Sequence, residues 1–172
     1  MPKRALWLGA GLLPAVMSVV WLAARRRRSR RVGDVMIKSV ITIEPSASLV
    51  EAARRMRAAN VGLLPVVDGE RLRGVITDRD LVVRALAEGA TPSATRVDDY
   101  ITHDVVAARP DWSVDEAREQ MALRRIGRLP VTDTAGRLVG VVTLSSLALR
   151  ADDTEETLET AQEVSRRSSR AA

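Results

Sequence analysis

Much of this chain is written twice, and that duplication limits its fold more than any other feature. Pro45-Ser46-Ala47-Ser48-Leu49-Val50-Glu51-Ala52 returns as Pro110-Asp111-Trp112-Ser113-Val114-Asp115-Glu116-Ala117, a shift of 65. The same shift carries Met56 onto Met121 and Gly62-Leu63-Leu64-Pro65-Val66 onto Gly127-Arg128-Leu129-Pro130-Val131. Between Pro45 and Asp68, 10 of 24 positions are identical in the two copies. One inserted residue then makes the shift 66, so Arg71-Leu72-Arg73-Gly74-Val75-Ile76-Thr77 maps onto Arg137-Leu138-Val139-Gly140-Val141-Val142-Thr143. Two copies are too few for a solenoid. They suit a pseudo-symmetric pair, packed face to face, with clefts at the seam.

Each copy predicts the order strand, helix, strand, strand, helix. Val40 to Ile43 is a β-branched run that stops at Pro45, so it reads as a strand, and Val105 to Ala108 is its counterpart. Ser48-Leu49-Val50-Glu51 and Ser113-Val114-Asp115-Glu116 have the spacing of a capping box. Leu49, Ala52, Ala53 and Met56 then fall on one helical face, and Asn60 and Gly62 end the helix. Leu63 to Val67 and Leu72 to Thr77 read as a hairpin turning at Asp68-Gly69. A second helix follows from Thr77 or Asp78 to about Ala87. The second copy predicts a helix from Ser113 to about Arg124, strands at Leu129 to Thr132 and Leu138 to Thr143, and a closing helix from near Ser145. The copies span 32–90 and 97–151, joined by a linker around Gly89 to Thr95, and a charged, partly disordered tail is expected at 152–172. A single copy of this size would be marginal alone, so pairing has a stability rationale of its own.

Residues 1–31 differ from the rest. Ala5 to Ala24 is an uncharged run with Trp7 and Trp21 near its ends, and its helical length of about 30 Å matches a bilayer's hydrocarbon core. Pro14 lies mid-run, where a membrane helix tolerates it better than a soluble one. Six arginines follow, against Lys3 and Arg4 before it, so the expected topology is a single-pass anchor with the repeats on the cytoplasmic side. A cleaved secretory signal is the rival reading, but such signals carry their charge before the apolar run. The cluster can also touch anionic headgroups.

This division explains the charge. Of 27 basic residues, eight lie in 1–31 with no acidic residue, leaving 19 against 22 acidic residues in the remainder. The net +5 is therefore no basic globular face, and the sequence argues against nucleic-acid binding. With no cysteine and His103 as the one histidine, disulfides and thiolate or multi-histidine metal sites are excluded. There is no phenylalanine, so the core must be aliphatic. No nucleophile with a base, paired carboxylates or phosphate-cradling glycine loop appears, and the chain is expected not to be an enzyme.

Asp34-Val35-Met36 opening a copy, the Leu-Pro-Val-Val-Asp strand, and Gly74-Val75-Ile76-Thr77-Asp78-Arg79-Asp80-Leu81 resemble a cystathionine beta-synthase (CBS) domain. The duplicated order resembles a tandem CBS pair, or Bateman module, from Val32 to Ala151. The fold expected is therefore α/β (α+β), as two packed CBS repeats preceded by a transmembrane helix.

The resemblance implies a regulatory module that binds AMP, ADP, ATP or S-adenosylmethionine between the repeats. Its ribose-gripping pattern falls on Thr77 and Asp80. A carboxylate can accept from both ribose hydroxyls, and a threonine adds a further bond. Amides at that helix start would face a phosphate, Arg79 could grip it as a fork, and Ile41, Leu64 and Pro65 would sandwich the base. In the second copy Thr143 remains, but Ser146 replaces the aspartate and Ser145 the arginine, with Arg128 a partial substitute. Asymmetric sites follow, the Thr77/Asp80 cleft being the better one. For each residue a helix cap or surface ion pair is the alternative role.

The family also implies a homodimer formed through the helices. The functional expectation is a membrane-tethered sensor that signals to a membrane protein or signalling partner, the sequence itself showing no output domain. The alternative is a ligand-free dimerisation scaffold at the membrane.

Overall fold

The computed structural model describes residues 30–150 and 154–169. The apolar run 5–24 lies outside the described residues, and among those described no helix is long and apolar enough to cross a membrane. The elements are α1 (Val32–Val35), α2 (Leu49–Ala59), β1 (Leu63–Asp68), β2 (Arg71–Thr77), a π-helix (Asp80–Leu86), a 3-10 turn (Val97–Asp99), α3 (Val114–Arg124), β3 (Arg128–Thr132), β4 (Leu138–Thr143), α4 (Leu144–Arg150) and α5 (Thr154–Ser169). The tail carries a helix of its own.

Local chemistry sets the helix ends. Ser48 Oγ accepts from Glu51 N at 3.2 Å, and Ser113 Oγ accepts from Glu116 N at 3.1 Å. Glu116 returns the bond, accepting from Ser113 N at 2.7 Å, whereas Glu51 pairs with Arg55 one turn on. Only the second copy therefore closes the box on both sides. Asn60 (φ 52°) and Arg125 (φ 54°) end α2 and α3 in the left-handed region.

Each copy has an antiparallel hairpin, β1–β2 or β3–β4, with the register slipping after Val66 or Val131. The strand predicted at Val40 to Ile43 shrinks to one parallel bridge, Ile43 to Val66, and its counterpart to Ala108 with Val131. Prolines explain this. Ile43 N donates to Pro65 O at 3.1 Å and Val67 N to Ile43 O at 2.9 Å, but the next rung needs an amide hydrogen that Pro65 lacks. Pro130 stops the equivalent ladder beyond Ala108.

The copies exchange their opening segments. Ile37 pairs with Val141 of the second copy (N to O 2.8 and 3.0 Å), and Thr102 pairs with Val75 of the first (2.9 and 3.0 Å). Val32 N reaches Trp112 O at 2.9 Å, and its counterpart Val97 N reaches Ala47 O at 2.8 Å. At the hairpin tips, Leu72 N donates to Gly136 O at 3.1 Å and Leu138 N to Glu70 O at 2.9 Å. Every such bond has a partner at the 65 or 66 shift, which defines a pseudo-twofold axis through the seam.

Two cores result, and neither respects the repeat boundary. Val32, Val35 and Met36 pack with Val114, Met121, Leu129 and Val142, while Val97 and Ile101 pack with Leu49, Met56, Leu64 and Ile76. Glycine permits the crossing. A Cβ on Gly74 would lie 2.2 Å from Thr102 O, and one on Gly140 3.0 Å from Ile37 O and 2.7 Å from Met36 Sδ.

Candidate ligand-binding site

Strand β2 delivers Thr77 to the seam, and the chain turns at once into the π-helix. Asp80 Oδ2 accepts from Thr77 N at 2.9 Å and from Thr77 Oγ1 at 2.6 Å, while Thr77 Oγ1 accepts from Asp80 N at 3.2 Å. Arg84 Nη1 donates to Asp80 Oδ1 at 3.2 Å and to Tyr100 O at 2.8 Å. The Tyr100 hydroxyl donates to Glu88 at 2.9 Å, and that bond raises its pKa. Asp78 N donates to Gly62 O at 3.1 Å, an approach close enough that a Cβ on Gly62 would lie 2.6 Å from Asp78 Oδ2. A carboxylate offers about four acceptor positions. Thr77 and Arg84 take three at Asp80, leaving one on Oδ1, so a grip on both ribose hydroxyls requires one internal bond to yield.

A cleft of about 530 Å³ opens beside this turn and is built from both copies. The first contributes Gly62, Leu63, Val75 and Thr77 to Asp80; the second contributes Thr102, Asp104, Val105, Val106, Arg124, Ile126, Gly127, Arg128 and Pro130. Thr77, Arg79, Asp80 and Arg128 thus share one wall system. Arg128 lines this cleft, where the sequence reading used it to repair the other. Sequence reasoning missed Asp104 and Arg124, because the two copies were read one at a time, and took Asp78 only as an alternative helix start. The 65-residue shift was the signal that could have found them, since each cleft takes its far wall from the other copy.

The remaining expected residues lie elsewhere. Leu64 is fully buried in the first core, so its side chain packs there and does not sandwich a base in this cleft. Pro65 is buried, and Ile41 is half exposed. Neither lines the Thr77 cleft; their counterparts Pro130 and Val106 do. By the pseudo-twofold, Ile41 and Pro65 belong beside Thr143 and Ser146. There Thr143 N donates to Ser146 Oγ (3.0 Å), Ser146 N to Thr143 Oγ1 (3.0 Å), and Ser146 Oγ to Thr143 O (2.9 Å). Ser146 is buried and its hydroxyl already both donates and accepts, which is a capping arrangement. No group of three or more histidine, cysteine or acidic side chains suited to a metal occurs among the described residues.

Comparison with known proteins agrees with this architecture. The CBS domain family model matches twice, at residues 32–86 and 97–152. The CBS domain-containing protein YhcV of Bacillus subtilis is 38% identical over 118 residues, covering 69% of this chain and 83% of YhcV. Inosine-5'-monophosphate dehydrogenase of Methanocaldococcus jannaschii is 36% identical over 143 residues, covering 83% of this chain but 28% of that enzyme. The crystal structure of the CBS domain pair of protein MJ0100, in complex with 5'-methylthioadenosine and S-adenosyl-L-methionine, superposes with a TM-score of 0.64 at 30% identity, covering 73% of this chain and 98% of that one.

Proposed function

The chain belongs to the CBS domain family, and from that premise we propose that it is a membrane-tethered, non-enzymatic regulatory module that holds an adenosine nucleotide or related ligand between its repeats. The observation that carries the reading is the Thr77 cleft, about 530 Å³ and walled by both copies. One acceptor position remains on Asp80 for a ribose hydroxyl. Leu63, Val106 and Pro130 offer apolar surface for a base, and Arg79, Arg124 and Arg128 offer guanidinium forks for phosphates. The MJ0100 complex supports an adenosine-type ligand. A ligand that touches both walls favours one packing of the repeats over another, by no more than its difference in affinity for the two packings. A membrane protein, a signalling partner or a second copy of the chain reads that change. Titration calorimetry on the full chain with AMP, ATP and S-adenosylmethionine should give saturable heat with at least one. No heat and no shift in melting temperature with any of them sinks the sensing role.

The tether rests on the uncharged run from Ala5 to Ala24 and the arginines after it. Alkaline carbonate washing of membranes should leave the chain in the pellet; its release into the supernatant removes the tether. A second reading, a ligand-free dimerisation scaffold at the membrane, is favoured by one observation: Thr77, Asp80 and Arg84 already satisfy one another. Asp80→Ala separates the readings, since it weakens the ligand response at least about 10-fold in the first and leaves partner binding unchanged in the second.

A further inference from the structure

Asp80 and Arg84 stand four residues apart on the π-helix, close to one turn of a helix whose hydrogen bonds span five residues. The two oxygens of Asp80 are used differently. Oδ2 accepts from Thr77 N at 2.9 Å and from Thr77 Oγ1 at 2.6 Å, which fills it. Oδ1 accepts from Arg84 Nη1 at 3.2 Å and keeps one position open. A ligand with two ribose hydroxyls needs a second position, so one of these three bonds has to break.

Distance and surroundings decide which. The Arg84 bond is the longest of the three. The Thr77 bonds belong to a reciprocal cap, in which Thr77 Oγ1 also accepts from Asp80 N at 3.2 Å. Breaking that cap strands a backbone amide where β2 turns into the helix. Releasing Arg84 strands nothing. The Asp80 side chain is only 17% exposed, but that of Arg84 is 43% exposed and returns to water at little cost. The same Nη1 already donates to Tyr100 O at 2.8 Å, and the guanidinium lies 5.7 Å from the centre of the Tyr100 ring. The other end of the seam has no such arrangement. Ser146 replaces Asp80 with its hydroxyl committed to Thr143 O, and the counterpart of Tyr100 is the buried Val35.

We propose that Arg84 sets how the Thr77 cleft discriminates between sugars. While Arg84 holds Oδ1, Asp80 accepts one ribose hydroxyl. The second is accepted only after the guanidinium leaves for Tyr100. The advantage of ribose over 2′-deoxyribose is therefore reduced by the strength of the Asp80–Arg84 pair. Arg84 does not line the cleft and acts through Asp80, so it is a positioning residue. The inference rests on the adenosine reading of this cleft.

ATP and 2′-deoxy-ATP are titrated by calorimetry into the full chain and into Arg84→Ala, Arg84→Met and Arg84→Lys. Comparing both nucleotides on one chain cancels any effect of the Arg84 charge on the phosphates. Arg84→Ala and Arg84→Met should each raise the affinity ratio of ATP to 2′-deoxy-ATP about 5-fold, the upper end for a partly exposed ion pair. Arg84→Lys, which returns the charge that Arg84→Met removes, should bring the ratio back towards that of the unmodified chain. An unchanged or lower ratio in Arg84→Ala and Arg84→Met overturns the proposal and leaves the reading of the cleft intact, since both nucleotides bind. A ratio as high in Arg84→Lys as in Arg84→Met also overturns it. No heat from either nucleotide in any chain overturns it as well, and the reading of the cleft then rests on S-adenosylmethionine.

Discussion

At the Thr77 end of the seam, Asp78, Arg79, Asp80, Asp104, Arg124 and Arg128 line one cleft. At the Thr143 end, the residues related to them by the repeat are Leu144, Ser145, Ser146, Ser39, Ala59 and Leu63, none of them charged. Arg128, the counterpart of Leu63, is the one charged side chain that the symmetry also assigns to the second end. Ile37, Ile41 and Val61, which belong to that second set, are each more than a third exposed. Duplication has kept the main-chain pairing between the copies, although the helix after β2 is π and its counterpart after β4 is α, while the side chains have separated into a polar, arginine-rich cleft and an apolar, hydroxyl-bearing one. The scaffold is thus conserved within the chain by main-chain pairing, and recognition is left to residues that the pairing does not use.

The comparison breaks most severely at the glycines that let the copies cross. Gly74→Ala drives a methyl into the Thr102 carbonyl, which is backbone and cannot swing away, whereas Gly140→Ala meets first the movable end of Met36. In chemical denaturation Gly74→Ala should cost about 3 kcal/mol and Gly140→Ala about 1 kcal/mol. Equal losses would mean that the two crossings are not held alike. Next in size is ligand affinity. Removing a charged hydrogen-bond partner costs about 1.5–3 kcal/mol, so Asp80→Ala should weaken binding about 10- to 100-fold by calorimetry, against a change below about 3-fold for Ser146→Ala. A stronger effect at Ser146 would reverse the assignment of the better cleft.

Arg124 sharpens the contrast further. Arg124→Ala should weaken ATP about 10-fold and leave adenosine unchanged, because its counterpart Ala59 shows that the scaffold needs no charge there. Equal weakening of both ligands would reduce Arg124 to a packing role. The smallest effect separates two helix ends. Asn60 tolerates a left-handed backbone better than Arg125 does, so Arg125→Asn should stabilise the protein by about 0.5 kcal/mol in thermal unfolding. A loss instead would show that the Arg125 side chain contributes to the packing of α5 on α3.

The repeat, both hairpins and both serine caps were legible in the sequence because each depends on local chemistry: spacing, turn residues and a hydroxyl ahead of a helix. Thr77, Arg79 and Asp80 were legible for the same reason, lying within four consecutive positions. What was not legible crosses between the copies. Val32 and Val97 read as the openings of their own repeats, yet each finishes the other's core, because an apolar residue in a short segment carries no mark of the partner it will find. Leu64 was misplaced by a related limit. Adjacent strand residues point to opposite faces, and the choice of core-facing residue between Leu63 and Leu64 depends on a register that neither residue encodes alone. Arg124 was invisible because it sits at the end of a helix rich in charged residues and gains its place only from the docking of two halves.

The crossing of Val97 and Ile101 into the first core sets an order for biosynthesis. As the chain leaves the ribosome, the first repeat emerges with a gap in its interior that only residues 97–102 can fill. Its earliest compact form is therefore incomplete, and Val32, Val35 and Met36 stay uncovered until the second repeat has been translated. The two halves reach their final state together, and a ribosome stalled between them would hold a nascent protein with apolar surface open to chaperones.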